Sequence, residues 1–252
     1  MNVVKYLPWL AMGLTVTNQS WAEQQVHAAV AANFTGAMKS VVAQFEQDTG
    51  HDVLLSFGSS GKILAQIQNG APFDVFLSAD QAKPQALQDK GLVQEGSRFT
   101  YAIGALALWS SLPDFIENDY SRLTSDDYNK LALANPKLAP YGLAATEVLQ
   151  ALGLTDATQA KWVQGENIAQ TYQFVATGNA DLGFVALSQI MSKGHVTEGS
   201  SWIVPSDLYS PIRQDAVLLK TAKDNSAAKA LLAYLQSDAA QQIIQSYGYT
   251  TE

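Results

Sequence analysis

The chain of 252 residues contains no cysteine. That absence excludes a disulfide framework, a thiolate metal site, a cysteine nucleophile and a cysteine-borne lipid anchor. Charge is sparse as well. Only 15% of residues are Asp, Glu, Lys or Arg, and 15 basic residues face 23 acidic ones, for a net charge of −8. An isoelectric point near 4.8 argues against nucleic-acid binding, which needs a basic surface. There are three histidines, His27, His51 and His195, and none is paired at the i, i+4 spacing of a helical zinc site. GxGxxG and Walker-type glycine loops are also missing. No run reaches the roughly 20 apolar residues that cross a bilayer. What remains is a chain with 47% hydrophobic residues, enough to build one large core or two smaller ones.

The N-terminus reads as an export signal. Lys5 is the only charge before Glu23, Leu7 to Val16 is mostly apolar, and Ser20-Trp21-Ala22 puts small residues at −3 and −1 of a cleavage site. Residues 1–22 are therefore expected to be removed after Ala22, leaving a chain that starts at Glu23, is more acidic still for the loss of Lys5, and is free in the periplasm without a lipid tether.

The rest of the chain alternates strands with helices. Val26 to Ala32 is β-capable, and Phe34, Ala37, Met38, Val41, Val42 and Phe45 then form one face of a helix, with Asn33 at its N-cap and Gly50 at its end. Asp52 to Phe57 is the next strand, and Gly58-Ser59-Ser60-Gly61 opens a helix carrying Ile63, Leu64 and Ile67. Phe73 to Leu77 is a third strand, followed by a helix up to Gly91. Ala102 to Trp109 reads as a single buried strand. Pro140-Tyr141-Gly142 opens a helix through Ala144, Val148 and Leu149, and Gly165-Glu166-Asn167-Ile168 precedes another through Tyr172 and Val175. Asp181 to Leu187 and Ala216 to Lys220 are further strands, with one closing helix through Ala230, Leu231, Tyr234 and Leu235. Such alternation predicts an α/β architecture of mostly parallel sheets flanked by helices, here in two lobes.

Four helix starts carry the chemistry: Ala32-Asn33, Ser59-Ser60-Gly61, Pro140-Tyr141-Gly142 and Glu166-Asn167-Ile168. Each offers unpaired backbone N–H groups at the positive end of a helix dipole, a setting that binds anions without a cationic side chain. One start alone is only a cap; four across two lobes suggest a shared anion. Catalytic readings are weaker. Gly58-Ser59-Ser60-Gly61 lacks the G-x-S-x-G spacing of a nucleophile elbow, and no histidine sits in a motif that would activate Ser60. Asp74 and Asp80 flank a strand, where a strand start and a helix cap account for them more simply than an acid pair.

The segments AANFTGAM (Ala31 to Met38), SFGSSGKILAQIQNGAPFDVFLSAD (Ser56 to Asp80), APYGLAATEVLQALG (Ala139 to Gly153) and GENIAQTYQFVATGNADLGFVALSQI (Gly165 to Ile190) carry a family resemblance. In order and spacing they resemble the periplasmic molybdate-binding proteins of bacterial ABC importers, over essentially the whole mature chain. The resemblance implies a two-lobe type II solute-binding fold with the ligand in the cleft. Lobe I would hold residues 23–101 and 214–252, and lobe II residues 102–213. It implies that Asn33 gives its backbone N–H and side-chain amide, Ser60 its hydroxyl and N–H, and Tyr141 and Ile168 their backbone N–H groups. Ala32 and Ser59 are the further donor candidates. It also implies no catalytic residue, no cofactor and no direct metal-ion ligand, with an inner-membrane permease and its cytoplasmic ATPase as partners and a monomeric binding protein. One departure stands out: a tyrosine that serves as donor in part of the family is replaced here by Ala186, for which the Asn33 amide would compensate.

Selectivity follows from the donors. A cage of donors without an acceptor suits a fully ionised oxyanion; phosphate, partly protonated at neutral pH, would require an acceptor, for which Glu166 is the nearest candidate. Sulfate is smaller, while molybdate and tungstate are nearly alike in size and charge. The competing readings are a binder of another oxyanion such as sulfate, an exported serine hydrolase using Ser60, and a sensor lobe without a transporter.

Overall fold

A computed structural model describes residues 25–252; the expected leader and its cleavage point lie outside them. The first half builds a strand-helix alternation: β1 (Val26–Ala31), a 3-10 turn (Ala32–Phe34), α1 (Thr35–Thr49), β2 (Val53–Gly58), α2 (Ser60–Gln68), β3 (Val75–Leu77), α3 (Ala82–Asp89), β4 (Phe99–Gly104) and β5 (Leu106–Ser110). There follow α4 (Ser121–Thr124), β6 (Leu131–Ala134), α5 (Pro140–Ala151), α6 (Thr155–Gln159), β7 (Trp162–Gly165), α7 (Ile168–Ala176), β8 (Leu182–Ala186) and α8 (Leu187–Ile190). The small hairpin β9 (Met191–Ser192) and β10 (His195–Val196) leads to β11 (Ser200–Ile203), β12 (Ile212–Leu218), α9 (Ser226–Tyr234) and α10 (Asp238–Ser246).

These strands form two five-stranded sheets, ordered β2-β1-β3-β12-β4 and β11-β5-β8-β6-β7. Both are mixed. In the first, β1 pairs in parallel with β2 and β3 while β12 runs antiparallel to β3 and β4; in the second, β6 is parallel to β7 and β8 while β5 is antiparallel to β8 and β11. Two-residue alternation sends side chains to opposite faces. Ala28, Val30, Val75 and Leu77 pack toward α1, α9 and α10, and Ala29, Phe76 and Val217 pack toward α2 and α3. The second sheet repeats this, with Leu106, Leu131 and Phe184 toward α5 and Ala107, Trp109 and Val185 toward α7.

Strands covered on both faces read as continuous apolar runs, which explains the main departure from the sequence reading. The run from Ala102 to Trp109 is not one strand. It breaks at Ala105, leaving β4 in the first sheet and β5 in the second, so the run is a crossover between lobes. The chain returns through β12, which pairs with β4 from Ile212 to Ala216. The expected single closing helix is likewise two, α9 and α10, separated by a turn in which Ser237 caps α10 through its side chain. His195 lies in the exposed β9–β10 hairpin.

Candidate functional site

Helix starts from both lobes converge on one small cavity. Its lining consists of Ala31, Ala32 and Asn33; Gly58, Ser59 and Ser60; Ala79; Ala139, Pro140 and Tyr141; and Asn167 and Ile168. The space between atoms there, counting the open solvent at its mouth, is about 200 Å³. No histidine, carboxylate, lysine or arginine takes part in the lining. All six residues singled out in the sequence, Asn33, Ser60, Tyr141, Ile168, Ala32 and Ser59, are brought together here.

Local sequence explains why each start faces the cavity. Ser59 is the N-cap of α2, its hydroxyl accepting from the Lys62 N–H, so Ser60 is the first helical residue and its N–H has no partner within the helix. The Ser60 hydroxyl accepts from the Ala79 N–H at 2.9 Å, which leaves its own proton free to donate. In α5, Pro140 occupies the first turn, where a missing N–H costs nothing, and Tyr141 follows it. Asn167 caps α7 by accepting from the N–H groups of Ala169 and Gln170, each at 3.0 Å, so that Ile168 keeps its N–H outside the helix ladder. Ala32 and Asn33 lie in the 3-10 turn between β1 and α1.

Asn33 departs from expectation in two respects. It is not the N-cap of α1; that position falls on Phe34, because the 3-10 turn intervenes. Its amide is also spent. Nδ2 donates to Gln214 Oε1 at 2.8 Å and to the Tyr249 hydroxyl at 2.9 Å, which uses both of its protons. The amide therefore does not compensate for the missing tyrosine at Ala186, and from Asn33 only the backbone N–H is left for a ligand. Ala186 itself is outside the cavity lining, its N–H donating to Gln189 Oε1.

Glu166, the candidate acceptor, is not in the lining either. It points outward and pairs with Lys62 at 2.9 Å. Asp74 accepts from the His27 N–H and Asp80 from the Lys83 N–H while also pairing with the Lys83 ammonium, so both carboxylates serve the backbone and do not form an acid pair. Beneath the cavity sit three tyrosines, Tyr101, Tyr141 and Tyr249, whose hydroxyls burial pushes well above the ordinary value near 10. They remain neutral hydrogen-bonding groups throughout the physiological range.

The lobes are in contact across the cleft. The Gly61 N–H of α2 donates to the Leu138 carbonyl at 3.0 Å, and the Ser188 hydroxyl of α8 donates to the Asn33 carbonyl at 2.9 Å. With the Lys62–Glu166 pair, these close the two lobes over the cavity. A space of this size, rimmed by neutral donors, suits one small anion. Hydrogen bonds to a charged group are worth about 1.5–3 kcal/mol net, so no single helix start holds a dianion and donors from both lobes are required.

Known proteins resemble the chain over nearly its whole length. The molybdate-binding protein ModA of Azotobacter vinelandii is 55% identical over 240 residues, 95% of this chain and 94% of that protein. ModA of Rhodobacter capsulatus is 49% identical, covering 96% of this chain and 94% of its own length. Among solved structures, the periplasmic molybdate-binding protein of Azotobacter vinelandii superposes with a TM-score of 0.88 at 41% identity, over 90% of this chain and 99% of that one. The family model for bacterial extracellular solute-binding proteins matches residues 26–250, and the chain belongs to that family.

Proposed function

We propose that this protein is the periplasmic binding component of an ABC importer that captures molybdate. The observation that carries the reading is the cavity itself: first-turn residues Asn33, Ser60, Tyr141 and Ile168, two from each lobe, surround one small space without a charged side chain. Relatives of 55% and 49% identity that bear the name molybdate-binding protein support it. The N–H groups of Asn33, Ser60, Tyr141 and Ile168, with the Ser60 hydroxyl and the further donors Ala32 and Ser59, form the cage. The anion is a transported ligand and not a cofactor. In this reading the lobes divide at Ala105, between β4 and β5, and again ahead of β12, a few residues from the expected 101 and 214, and close over the ion.

An importer needs the rest of its machinery: a membrane permease with its ATPase, to which a monomeric, lipid-free shuttle delivers the ion after removal of residues 1–22. The protein performs no catalysis. Ser60 has no histidine beside it in the cavity, and its hydroxyl already accepts from the Ala79 N–H, so it lacks the base an acyl transfer requires. Tungstate, of nearly the same size and charge, binds comparably. Sulfate is smaller and leaves the hydrogen bonds long. Phosphate at neutral pH brings a proton that meets only donors, since the Glu166 carboxylate is turned outward to Lys62.

Calorimetric titration of the ligand-free protein with molybdate, tungstate, sulfate and phosphate tests this. Tight binding of the first two with much weaker binding of the others is expected. Absence of heat and of thermal stabilisation with both molybdate and tungstate would overturn the reading.

A further inference from the structure

Six buried side chains lie directly behind the anion cavity and form one hydrogen-bonded cluster: Asn33, Tyr101, Tyr141, Ser188, Gln214 and Tyr249, each no more than 8% exposed. Gln214 Oε1 accepts from the Asn33 amide at 2.8 Å and from the Tyr101 hydroxyl at 3.0 Å, while Gln214 Nε2 donates to the Tyr141 hydroxyl at 3.3 Å. The Tyr249 hydroxyl accepts from the Asn33 amide and lies 2.9 Å from both the Asn33 carbonyl and Ser188 Oγ, either of which can take its proton. Ser188 closes the set by donating to the Asn33 carbonyl at 2.9 Å. Tyr101 and Gln214 belong to strands of the first sheet, Asn33 to the turn that follows β1 and Tyr249 to the tail bridged to that sheet, whereas Ser188 and Tyr141 come from the second lobe.

Asn33 needs such support. It sits in a three-residue 3-10 turn with no side-chain cap, and turns of this kind hold their geometry poorly alone. Its carbonyl accepts from the Ser188 hydroxyl of the opposite lobe and lies 2.9 Å from the Tyr249 hydroxyl of the C-terminal tail, and its amide is anchored to the crossover strand β12. We infer that Ser188 and Tyr249 are positioning residues for anion binding: on closure the Ser188 hydroxyl docks onto the Asn33 carbonyl and the Tyr249 hydroxyl and locks the turn whose N–H faces the anion. This rests on the cavity being the anion site. In this inference hinge opening parts Ser188 from Asn33, so that the contact belongs to the closed state and acts on release of the ion, not on its capture.

The experiment compares wild type, Ser188→Ala and Tyr249→Phe in the full mature chain, with molybdate as probe. Stopped-flow binding gives association and dissociation rates, and thermal melting is recorded with and without the ion. Ser188→Ala is expected to speed dissociation roughly two- to twelvefold, the range of one neutral hydrogen bond, with an unchanged association rate and an unchanged ligand-free melting temperature. Tyr249→Phe keeps the ring packed edge-on against Phe34, with centroids 5.3 Å apart, and is expected to speed dissociation as much or more while also lowering the ligand-free melting temperature, because its hydroxyl ties the tail to Asn33 within the first lobe. Because the two hydroxyls share one bonded set, the double variant should lose less than the product of the single losses. A wild-type dissociation rate in Ser188→Ala, or a drop in its ligand-free melting temperature equal to the drop with the ion bound, overturns the proposal and leaves the anion site standing. Failure of wild type to bind either molybdate or tungstate instead removes the anion site, and this inference with it.

Discussion

The two lobes bring donors to the cavity by different means. The first lobe supplies a hydroxyl: Ser60 Oγ accepts from Ala79 and keeps a proton to give, and Ser59 caps the same helix. The second lobe supplies only backbone. Tyr141 stands in the first turn of α5 with its side chain turned back toward Gln214, and Ile168 starts α7 behind the Asn167 cap. The contrast teaches where side-chain changes can act. In the first lobe an alanine substitution removes a donor; in the second it leaves the donor in place, and only displacement of the backbone takes it away.

The largest expected effect therefore comes from a glycine in the second lobe. A Cβ on Gly142 would lie 2.2 Å from the Ala134 carbonyl oxygen and 2.7 Å from its carbon, both main-chain atoms at the end of β6. Gly142→Ala must push the start of α5, and the Tyr141 N–H with it, off the end of that strand. Molybdate affinity should fall by about 100-fold or more, equivalent to about 2.7 kcal/mol, with a lowered melting temperature; calorimetry alongside thermal melting checks both. Affinity within threefold of wild type would mean that α5 contributes no donor, and the contrast between lobes would collapse.

Side-chain truncations give the next test. Ser60→Ala deletes the hydroxyl proton and leaves the Ala79 N–H without its acceptor, so binding should weaken by roughly 1.5–3 kcal/mol. Tyr141→Phe removes the hydroxyl's 3.3 Å contact with Gln214 and its hydrogen bond with Tyr249 but spares the N–H, so affinity should stay within about threefold of wild type, less than one typical net hydrogen bond. Titrating both variants in parallel checks the asymmetry directly. Equal losses in the two would contradict it.

Much of this site was legible because capping is local. Ser59-Ser60-Gly61, Pro140-Tyr141-Gly142 and Asn167-Ile168 announce helix starts from neighbouring residues alone, and each start is where the cavity is. The Asn33 amide was misjudged for the opposite reason: its partners, Gln214 and Tyr249, are 181 and 216 residues away in the chain, and no local pattern points to them. Ser188 and Tyr249 went unnoticed on the same account, since a serine after an apolar strand and a tyrosine near the C-terminus carry no motif. The strands β6, β7 and β11, four residues each, were too short to show a period. The break at Ala105 was hidden because β5, and Tyr101, Ala102 and Gly104 of β4, are buried, so hydrophobicity does not mark where the chain passes from one lobe to the other.

Alkaline pH probes the layer shared by the lobes. The cavity lining holds no carboxylate, histidine or amine, so molybdate binding should be flat between about pH 6 and 9, where no residue of ordinary pKa in that lining titrates. Tyr101, Tyr141 and Tyr249 have hydroxyls raised by burial, so the folded state holds their protons where the unfolded chain releases them. Their contribution is complete below the unfolded value near 10 and is lost as pH climbs from there toward the folded values. Denaturant midpoints measured from pH 8 upward should fall beyond about 10. Removing one phenol in Tyr249→Phe should make that fall shallower; an unchanged slope would show that the buried tyrosines do not govern the alkaline limb.

The smallest effect is expected at the mouth of the cleft, where the lobes meet through charge. Lys62 lies two residues after Ser60 and Glu166 two residues before Ile168, and their 2.9 Å pair spans the gap between the two donor sets. Both side chains are about half exposed, at 54% and 46%, so water screens the attraction and holding two flexible chains costs entropy. A pair of this kind is worth about 0.2–1 kcal/mol. Because it forms across the cleft, that modest energy belongs to the closed state, and Glu166→Gln should speed molybdate release by roughly one and a half- to fivefold at low salt, following the same range. Raising ionic strength to about 1 M shortens the screening length to about 3 Å, so the difference between variant and wild type should vanish there. A release rate that differs equally at low and high salt would mean Glu166 acts on Ile168 and Asn167 through the backbone start of α7, and the charge pair would have no part in holding the lobes together.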